Sequence, residues 1–517
     1  MTDLHQHLDT LIQKYQNNEY MSARLVNYME HLLPSALEGE LNTHLQREER
    51  KQNLSTNRDE FVSRFLHKHN YYYSTQTELF LNYDGLHFVI YSEDDILHQI
   101  LSTITHEQDL MPWKHKIKIN ILKQIREKSP LNAIPESATI QYVIDSLHPA
   151  IFSTKNHAKY FLTIIGDCIL SNKDAAALIY IAPPTCKELL REIGNQCYTY
   201  FGLSNIFNTI KFKYYDHNYE HCRLIPINKH TNKSKSLPIP QQLLKHMLDV
   251  LCVSAHYSSR YGSADKFLEQ CSEPLLIDHA LVLHKNTPVT IVDKFFEKSI
   301  KYCPGSRINS KNMIFLWKKF LEEKELPNIV FYENLKTLFK KKWAFNEEDD
   351  CFLDATSIYL PLVATFNKFW ETTIISEDGD ADSGYDLEVD ELSILFKKWT
   401  RWTSIVISDS MLIELIKHFY PDVTIVDDKY ILHVKCNLWD KRKEIIDSLE
   451  LYKNKIKADE SAENVIKSLY EAYEFYSADN REKSKNIASK QYFEKVASEI
   501  INTHIDNDGL ISPTWWK

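Results

Sequence analysis

Lys187 is the residue whose neighbours best suggest phosphate chemistry, since it sits at the turn of Leu178-Ile-Tyr-Ile-Ala-Pro-Pro-Thr-Cys-Lys-Glu-Leu-Leu-Arg-Glu-Ile193. The apolar run 177–181 predicts a buried strand, and Leu189, Leu190 and Ile193 share one face of a following helix. A strand-turn-helix carries nucleotide chemistry when its turn reads G-x-x-x-x-G-K-[ST]. Backbone N–H groups then cradle the phosphates, the lysine reaches the terminal one, and the hydroxyl holds Mg²⁺. With Lys187 laid on the motif's lysine, Ile181 and Cys186 replace the glycines and Glu188 replaces the hydroxyl. Pro183 and Pro184 have no N–H to donate, and Glu188 sets a negative charge where a helix N-terminus otherwise attracts phosphate. The run therefore predicts a phosphate loop that has lost its function; its alternative is an ordinary strand-to-helix connection.

Nucleic acid needs different chemistry: several Lys or Arg on one surface, with aromatic faces for base stacking if the ligand is single-stranded. Three stretches have that composition. After Pro112, Trp113, Ile117, Ile121 and Ile125 recur every four residues, while Lys114, Lys116, Lys118, Lys123, Arg126 and Lys128 fill the other faces of a basic amphipathic helix. Lys211-Phe-Lys-Tyr-Tyr215 with Arg223 is an extended basic-aromatic run, supplying Lys211, Lys213, Tyr214 and Tyr215. Lys397-Lys-Trp-Thr-Arg-Trp402 supplies Trp399, Arg401 and Trp402. Each also reads as a solvated helix face or a strand with core aromatics.

Two further patterns carry less. His217-Asn-Tyr-Glu-His221 matches the zinc pattern H-x-x-E-H, but the flanks Lys211 to Tyr215 and Leu224 to Ile227 look extended, whereas the pattern needs both His on one helical face. The match reads as chance, and no metal or cofactor is expected. Cys186 at a helix start lacks an assignable base and reads as a small apolar filler.

The elements that must position these residues are mainly helical. Glycine is scarce, 10 in 517 residues, which disfavours Gly-rich loops and tight hairpin arrays. Hydrophobic residues make up 43% and charged residues 26%, the balance of an ordinary globular chain long enough for several domains. Net charge is −10, so nucleic-acid binding has to come from local basic patches. Nine cysteines without a C-x-x-C pair indicate neither a disulfide framework nor a zinc ribbon. No apolar run is long enough to span a membrane, and the polar start is unlike a secretory signal; a soluble intracellular protein is expected.

In order, the chain reads as a helical region 1–60; a hairpin turning at Tyr-Asp-Gly plus the basic helix, 61–150; an α/β core, 151–240; a helical domain, 241–375; an exposed acidic linker, 376–390; a winged-helix-like unit, 391–455; and C-terminal helices, 456–517. The linker follows from eight acids and no base between Ser376 and Glu391. The winged-helix reading follows from helix 390–402, helix 409–419 and a hairpin turning at Asp427-Asp428. Helix 409–419 has only Lys417 and His418 against Asp409 and Glu414, so it reads as a protein-facing wing.

The helix Phe161 to Leu170 with its Gly-Asp, the strand into Lys187, the strand Arg223-Leu-Ile-Pro-Ile-Asn228, and Thr290-Ile-Val-Asp-Lys-Phe-Phe296 together resemble the superfamily 3 helicase region of poxvirus and giant-virus primase-helicases, over roughly residues 60–345. In that family the second strand ends in a Mg²⁺-coordinating acid. Asn228 stands there instead and lacks the required charge. The resemblance thus implies a helicase-like scaffold without ATPase activity, with Lys187 carried over as a relic.

The fold class expected is mostly α with an α/β portion. The function expected is non-catalytic binding of RNA or single-stranded DNA in a large DNA virus, in host cytoplasm or nucleus, alongside other viral proteins. The alternatives are an mRNA- or cap-binding subunit of a viral translation initiation complex, for which paired aromatic planes are needed, and a structural partner of a helicase-primase. An ATP-driven helicase ranks last.

Overall fold

A computed structural model of the chain describes residues 2–175, 177–215, 217–228, 239–376, 387–401, 407–458, 466–483, 486–506 and 508–516. It is mostly helical with small sheets and divides into two compact units, Met1–Thr287 and Pro288–Lys517. That division falls inside the stretch 241–375 that the sequence reads as one helical domain. No described helix is long and apolar enough to cross a membrane.

The first unit begins with α1 (Thr2–Tyr15), α2 (Glu19–Asn27) and the long α3 (Leu33–Lys68). Where a single hairpin was expected there are three antiparallel strands, β1 (Asn70–Ser74), β2 (Leu79–Tyr83) and β3 (Phe88–Tyr91). The polar Thr75-Gln-Thr-Glu78 breaks the first β-rich run, and Glu78 takes a left-handed φ of 57°. Then come α4 (Glu93–Ile104), capped by the Ser92 hydroxyl accepting from the Asp95 N–H at 3.0 Å, and the basic helix α5 (Lys114–Arg126). Ile117, Ile121 and Ile125 of α5 are fully buried with Phe61, Phe65 and Phe80 in a core of their own. Burying each isoleucine is worth about 1.5–3 kcal/mol, so this apolar stripe dictates which face of α5 meets water.

A second core holds α6 (Ser137–Leu147), α7 (Lys155–Ile169), β4 (Ile179–Ile181), α8 (Lys187–Phe201), β5 (Ile210–Lys211), β6 (Cys222–Leu224), α9 (Gln241–Lys245), α10 (Met247–Tyr261), α11 (Ala264–Gln270) and α12 (Pro274–Ala280). β4 lies between β5 and β6, parallel to both. α7 and α10 cross at Gly166, where an added Cβ would strike the Ser254 carbonyl.

The second unit opens with α13 (Pro288–Ser299), α14 (Ser310–Glu323) and α15 (Tyr332–Lys342) around Phe295, which meets the Trp317 ring edge-on at 5.3 Å and stacks on Phe339 at 5.3 Å. Helices alone were expected here. The chain instead adds an antiparallel sheet of β7 (Lys301–Asn309), β8 (Phe345–Asn346) and β9 (Cys351–Thr356) in the order β7-β9-β8. Pro304 and Gly305, which read as a turn between helices, lie within β7 at a register shift between Tyr302 and Arg307.

Next are α16 (Leu360–Thr373), β10 (Ile374–Ser376), β11 (Leu387–Glu388), α17 (Val389–Thr400) and α18 (Asp409–Phe419). β12 (Ile425–Val426) and β13 (Tyr430–Ile431) turn through Asp427 and Asp428, both at positive φ, and β14 (Val434–Cys436) pairs with β10. Most of the expected acidic linker lies outside the described residues. Its end is not exposed: Glu388 is buried in β11, which pairs with β13. The last segment has α19 (Lys441–Ala458), α20 (Leu469–Glu482) and α21 (Lys490–Ile501) and, where helices alone were expected, a two-stranded antiparallel sheet of β15 (Lys467–Ser468) and β16 (Leu510–Ile511).

Candidate functional site

The turn after β4 closes on itself. Pro184–Cys186 form one 3-10 turn in which the Cys186 N–H donates to the Pro183 carbonyl at 2.9 Å and the Lys187 N–H to that of Pro184. Pro183 and Pro184 have no N–H, so these two bonds engage donors that a phosphate cradle would need free. Cys186 is buried, and burial pushes its thiol up to about 12, the behaviour of a filler rather than a nucleophile. Glu188 pairs with Arg191 one turn along α8. Asn228 donates from Nδ2 to the Pro149 carbonyl at 3.0 Å, and its N–H bonds the Ile151 carbonyl at 2.8 Å, so it ties down the 149–151 segment. Lys187 itself is exposed and borders an open groove of about 510 Å³ along α8, shared with Arg191, Tyr198, Asn205 and Phe212.

The three basic-aromatic stretches fare differently. On α5, Lys114, Lys116, Lys123 and Arg126 are exposed and Lys118 is half-buried. Lys116 lies 4.9 Å from the Trp113 ring and Arg58 of α3 lies 5.8 Å from the same ring. Arg126 bonds Glu93 at 3.2 Å and spans the Tyr73 and Phe80 rings. Lys114, Lys118, Lys123 and Lys128 have no ion-pair partner among the described residues. Beside them an open groove of about 520 Å³ between α3 and α5 is lined by Ser63, His67, Asn70, Gln124 and Lys128, with Asp59 its one acid.

In the second stretch Lys213 and Tyr215 are exposed and Lys211 is half-buried, but two members face inward. Arg223 is 5% exposed, with Nε 3.0 Å and Nη2 2.8 Å from the two Asp265 carboxylate oxygens and Nη1 on the Glu220 carbonyl. The buried Tyr214 donates its hydroxyl to the His217 carbonyl at 2.7 Å. Both are corrections: in sequence a buried Arg bound to a distant Asp is indistinguishable from an exposed one. The third stretch belongs to the second unit. There Lys397 and Arg401 are exposed, Trp399 meets Phe369 edge-on at 5.5 Å, and Trp402 lies outside the described residues. His217–His221 ends in a 3-10 turn over Tyr219–His221, so its two histidines do not share an α-helical face.

One cluster has no counterpart in the sequence reading. The Asp84 carboxylate accepts the Leu86 and His87 N–H groups, each at 2.7 Å, and Gly85 at φ 98° lets the chain turn into β3. This presents His87 to Asp249, fully buried in the first turn of α10, with Nδ1 to Oδ2 at 2.6 Å. The Phe88 N–H donates to the other oxygen, Oδ1, at 2.7 Å. His246, between α9 and α10, stacks on His87 with ring centroids 3.8 Å apart, and its Nδ1 lies 3.8 Å from the same Oδ2. Tyr142 of α6 meets both imidazoles edge-on at 5.0 and 5.4 Å. Burial pushes the Asp249 carboxyl up, against the Phe88 and His87 bonds; burial and then His87 push His246 down. Among the described residues this is the one group of three His, Cys, Asp or Glu side chains converging closely enough to hold a metal ion. No spacing rule reveals it, since His87 and Asp249 are 162 residues apart.

No protein-family model, curated protein or solved structure matches the chain.

Proposed function

We propose that this chain binds single-stranded nucleic acid without hydrolysing nucleotide, and that α5 is its main phosphate-contacting element. The observation that carries this is the set of lysines at 114, 118, 123 and 128, unpaired among the described residues in a chain of net charge −10. Some lysines elsewhere are tied to acids instead: Lys298 to Glu323, Lys319 to Glu414, Lys340 to Glu347. Unpaired ammonium groups along one short helix leave a local excess of positive charge, to which a polyanion is drawn while releasing its own counterions. Trp113, bracketed by Lys116 and Arg58, adds a ring on which a base can stack.

The scaffold belongs to the same proposal: a degenerate helicase-like α/β core of the kind carried by large DNA viruses, with α17, α18 and the β12–β13 hairpin as a winged-helix-like unit and other viral proteins as partners. The parallel setting of β4 and the self-closed turn before Lys187 support a core of that descent without a phosphate cradle.

Fluorescence anisotropy with single-stranded DNA and RNA at two salt concentrations tests the binding. Affinity should fall steeply with salt, and each α5 lysine changed to Gln should reduce the slope of log K against log salt by about 0.7. Absence of binding even at low salt would transfer the chain to the structural-partner class.

A further inference from the structure

We propose that His87, His246 and Asp249 form a mononuclear site for a divalent transition ion of the zinc class, clasping the turn before β3 to the start of α10. The inference is independent of nucleic-acid binding.

The carboxylate is the starting point. Asp249 is fully buried, and a buried carboxylate needs a counter-charge or a proton. A hydrogen bond from His87 supplies part of that need but leaves His246 unexplained. Its Nδ1 is 3.8 Å from Oδ2, too far for a direct hydrogen bond, and its ring is stacked 3.8 Å from that of His87. Two imidazolium rings at that separation would repel, and a neutral His246 meets the carboxylate either with an N–H too distant to bond it or with a lone pair against a lone pair. A cation among the three atoms removes both conflicts: it neutralises Asp249 and accepts a lone pair from each ring.

The geometry suits such an ion. The three ligand atoms lie within 4.8 Å of one another, and Zn–N and Zn–O bonds of about 2.0–2.2 Å bring tetrahedral ligands to within about 3.5 Å. For one ion to lie in both ring planes the two imidazoles, now stacked with planes 22° apart, must rotate out of their stack, and His87 Nδ1 must move from 2.6 Å to about 3.5 Å from Oδ2; both rings are partly exposed, at 18% for His87 and 29% for His246. Asp249, the fixed side, has Oδ1 pinned by the Phe88 N–H, an outer-shell bond of the type that orients a ligating carboxylate. Two imidazoles and one carboxylate select zinc, cobalt or iron over magnesium or calcium, and leave a fourth coordination position to be filled.

Titration of the metal-stripped full chain with Co²⁺, followed by its visible d–d absorption and by displacement with Zn²⁺, tests the site. One equivalent should bind. His246→Ala should weaken binding at least about tenfold, whereas His217→Ala and Cys222→Ala, which alter the H-x-x-E-H segment, should leave it unchanged. Asp249→Asn should abolish binding; because it alters a fully buried group, His246→Ala at the rim is the deciding variant, checked for native circular dichroism. Failure to take up one equivalent, undiminished affinity in His246→Ala, or loss of binding in His217→Ala would each overturn the assignment.

Discussion

At the scale of single residues, the contrast between Arg223 and the α5 lysines is testable. Arg223 engages Asp265 through two nitrogens and the Glu220 carbonyl through a third, so Arg223→Ala should lower stability while leaving nucleic-acid affinity within error of the parent. Lys123→Glu on α5 should do the reverse, measured by urea unfolding beside anisotropy. In the second unit, Lys441 and Glu391 form an ion pair at 2.9 Å with both side chains less than a tenth exposed, and Lys441 also lies 3.9 Å from the Tyr492 ring. Removing one partner strands a buried charge, so Lys441→Ala should cost about 3–5 kcal/mol in urea unfolding. Burial pushes the Glu391 carboxyl up, outweighing Lys441. The folded state then binds more protons than the unfolded one between the ordinary glutamate value of about 4.3 and the raised one. This group's contribution is complete below that window and is lost as pH rises through it. In Glu391→Gln, the decline of the urea midpoint with rising pH across the window should shrink.

Among the elements, the crossing of α7 and α10 is the most constrained. Gly166 lets α7 approach the Ser254 carbonyl, and Asp167 beside it accepts from the Ser258 hydroxyl at 2.6 Å and the Ala264 N–H at 2.8 Å. A methyl at 166 has no room, and forcing one into a packed crossing costs about 1–3 kcal/mol. Gly166→Ala should therefore lower the melting temperature with little change in helix content. On α8 the first turn looks outward through Lys187 and inward through Cys186 and Leu189, so the element serves as a packing helix. Lys187→Ala should leave stability and nucleotide turnover as they are in the parent, which an ATPase assay beside thermal unfolding checks.

For the molecule as a whole, the division at Thr287 and Pro288 has a thermodynamic consequence. Each unit buries its own apolar residues, the first around α7 and α10 and the second around Phe295, Trp317 and Phe339. Units with separate cores unfold as separate cooperative steps when the boundary between them is weak. Calorimetry should resolve two transitions, with Gly166→Ala lowering one and Lys441→Ala the other. A single transition moved equally by both variants would show one cooperative body instead.

Periodicity alone determined the amphipathic elements: the i, i+4 isoleucines of α5, the Ser92 cap of α4, and the strand-turn-helix around Lys187 all follow from local spacing, which helix geometry and backbone hydrogen bonding enforce. The two donors missing at Pro183 and Pro184 were equally legible, because proline has no N–H wherever it is placed. Pairing across distance was not. The break of the tyrosine-rich run into β1 and β2, the sheet of β7, β8 and β9, the burial of Glu388, the capture of Arg223 by Asp265, and the meeting of His87, His246 and Asp249 each depend on partners remote in the chain. Local sequence states what a residue is able to do; which neighbour it does it with is decided when the cores close and bring those partners within bonding distance.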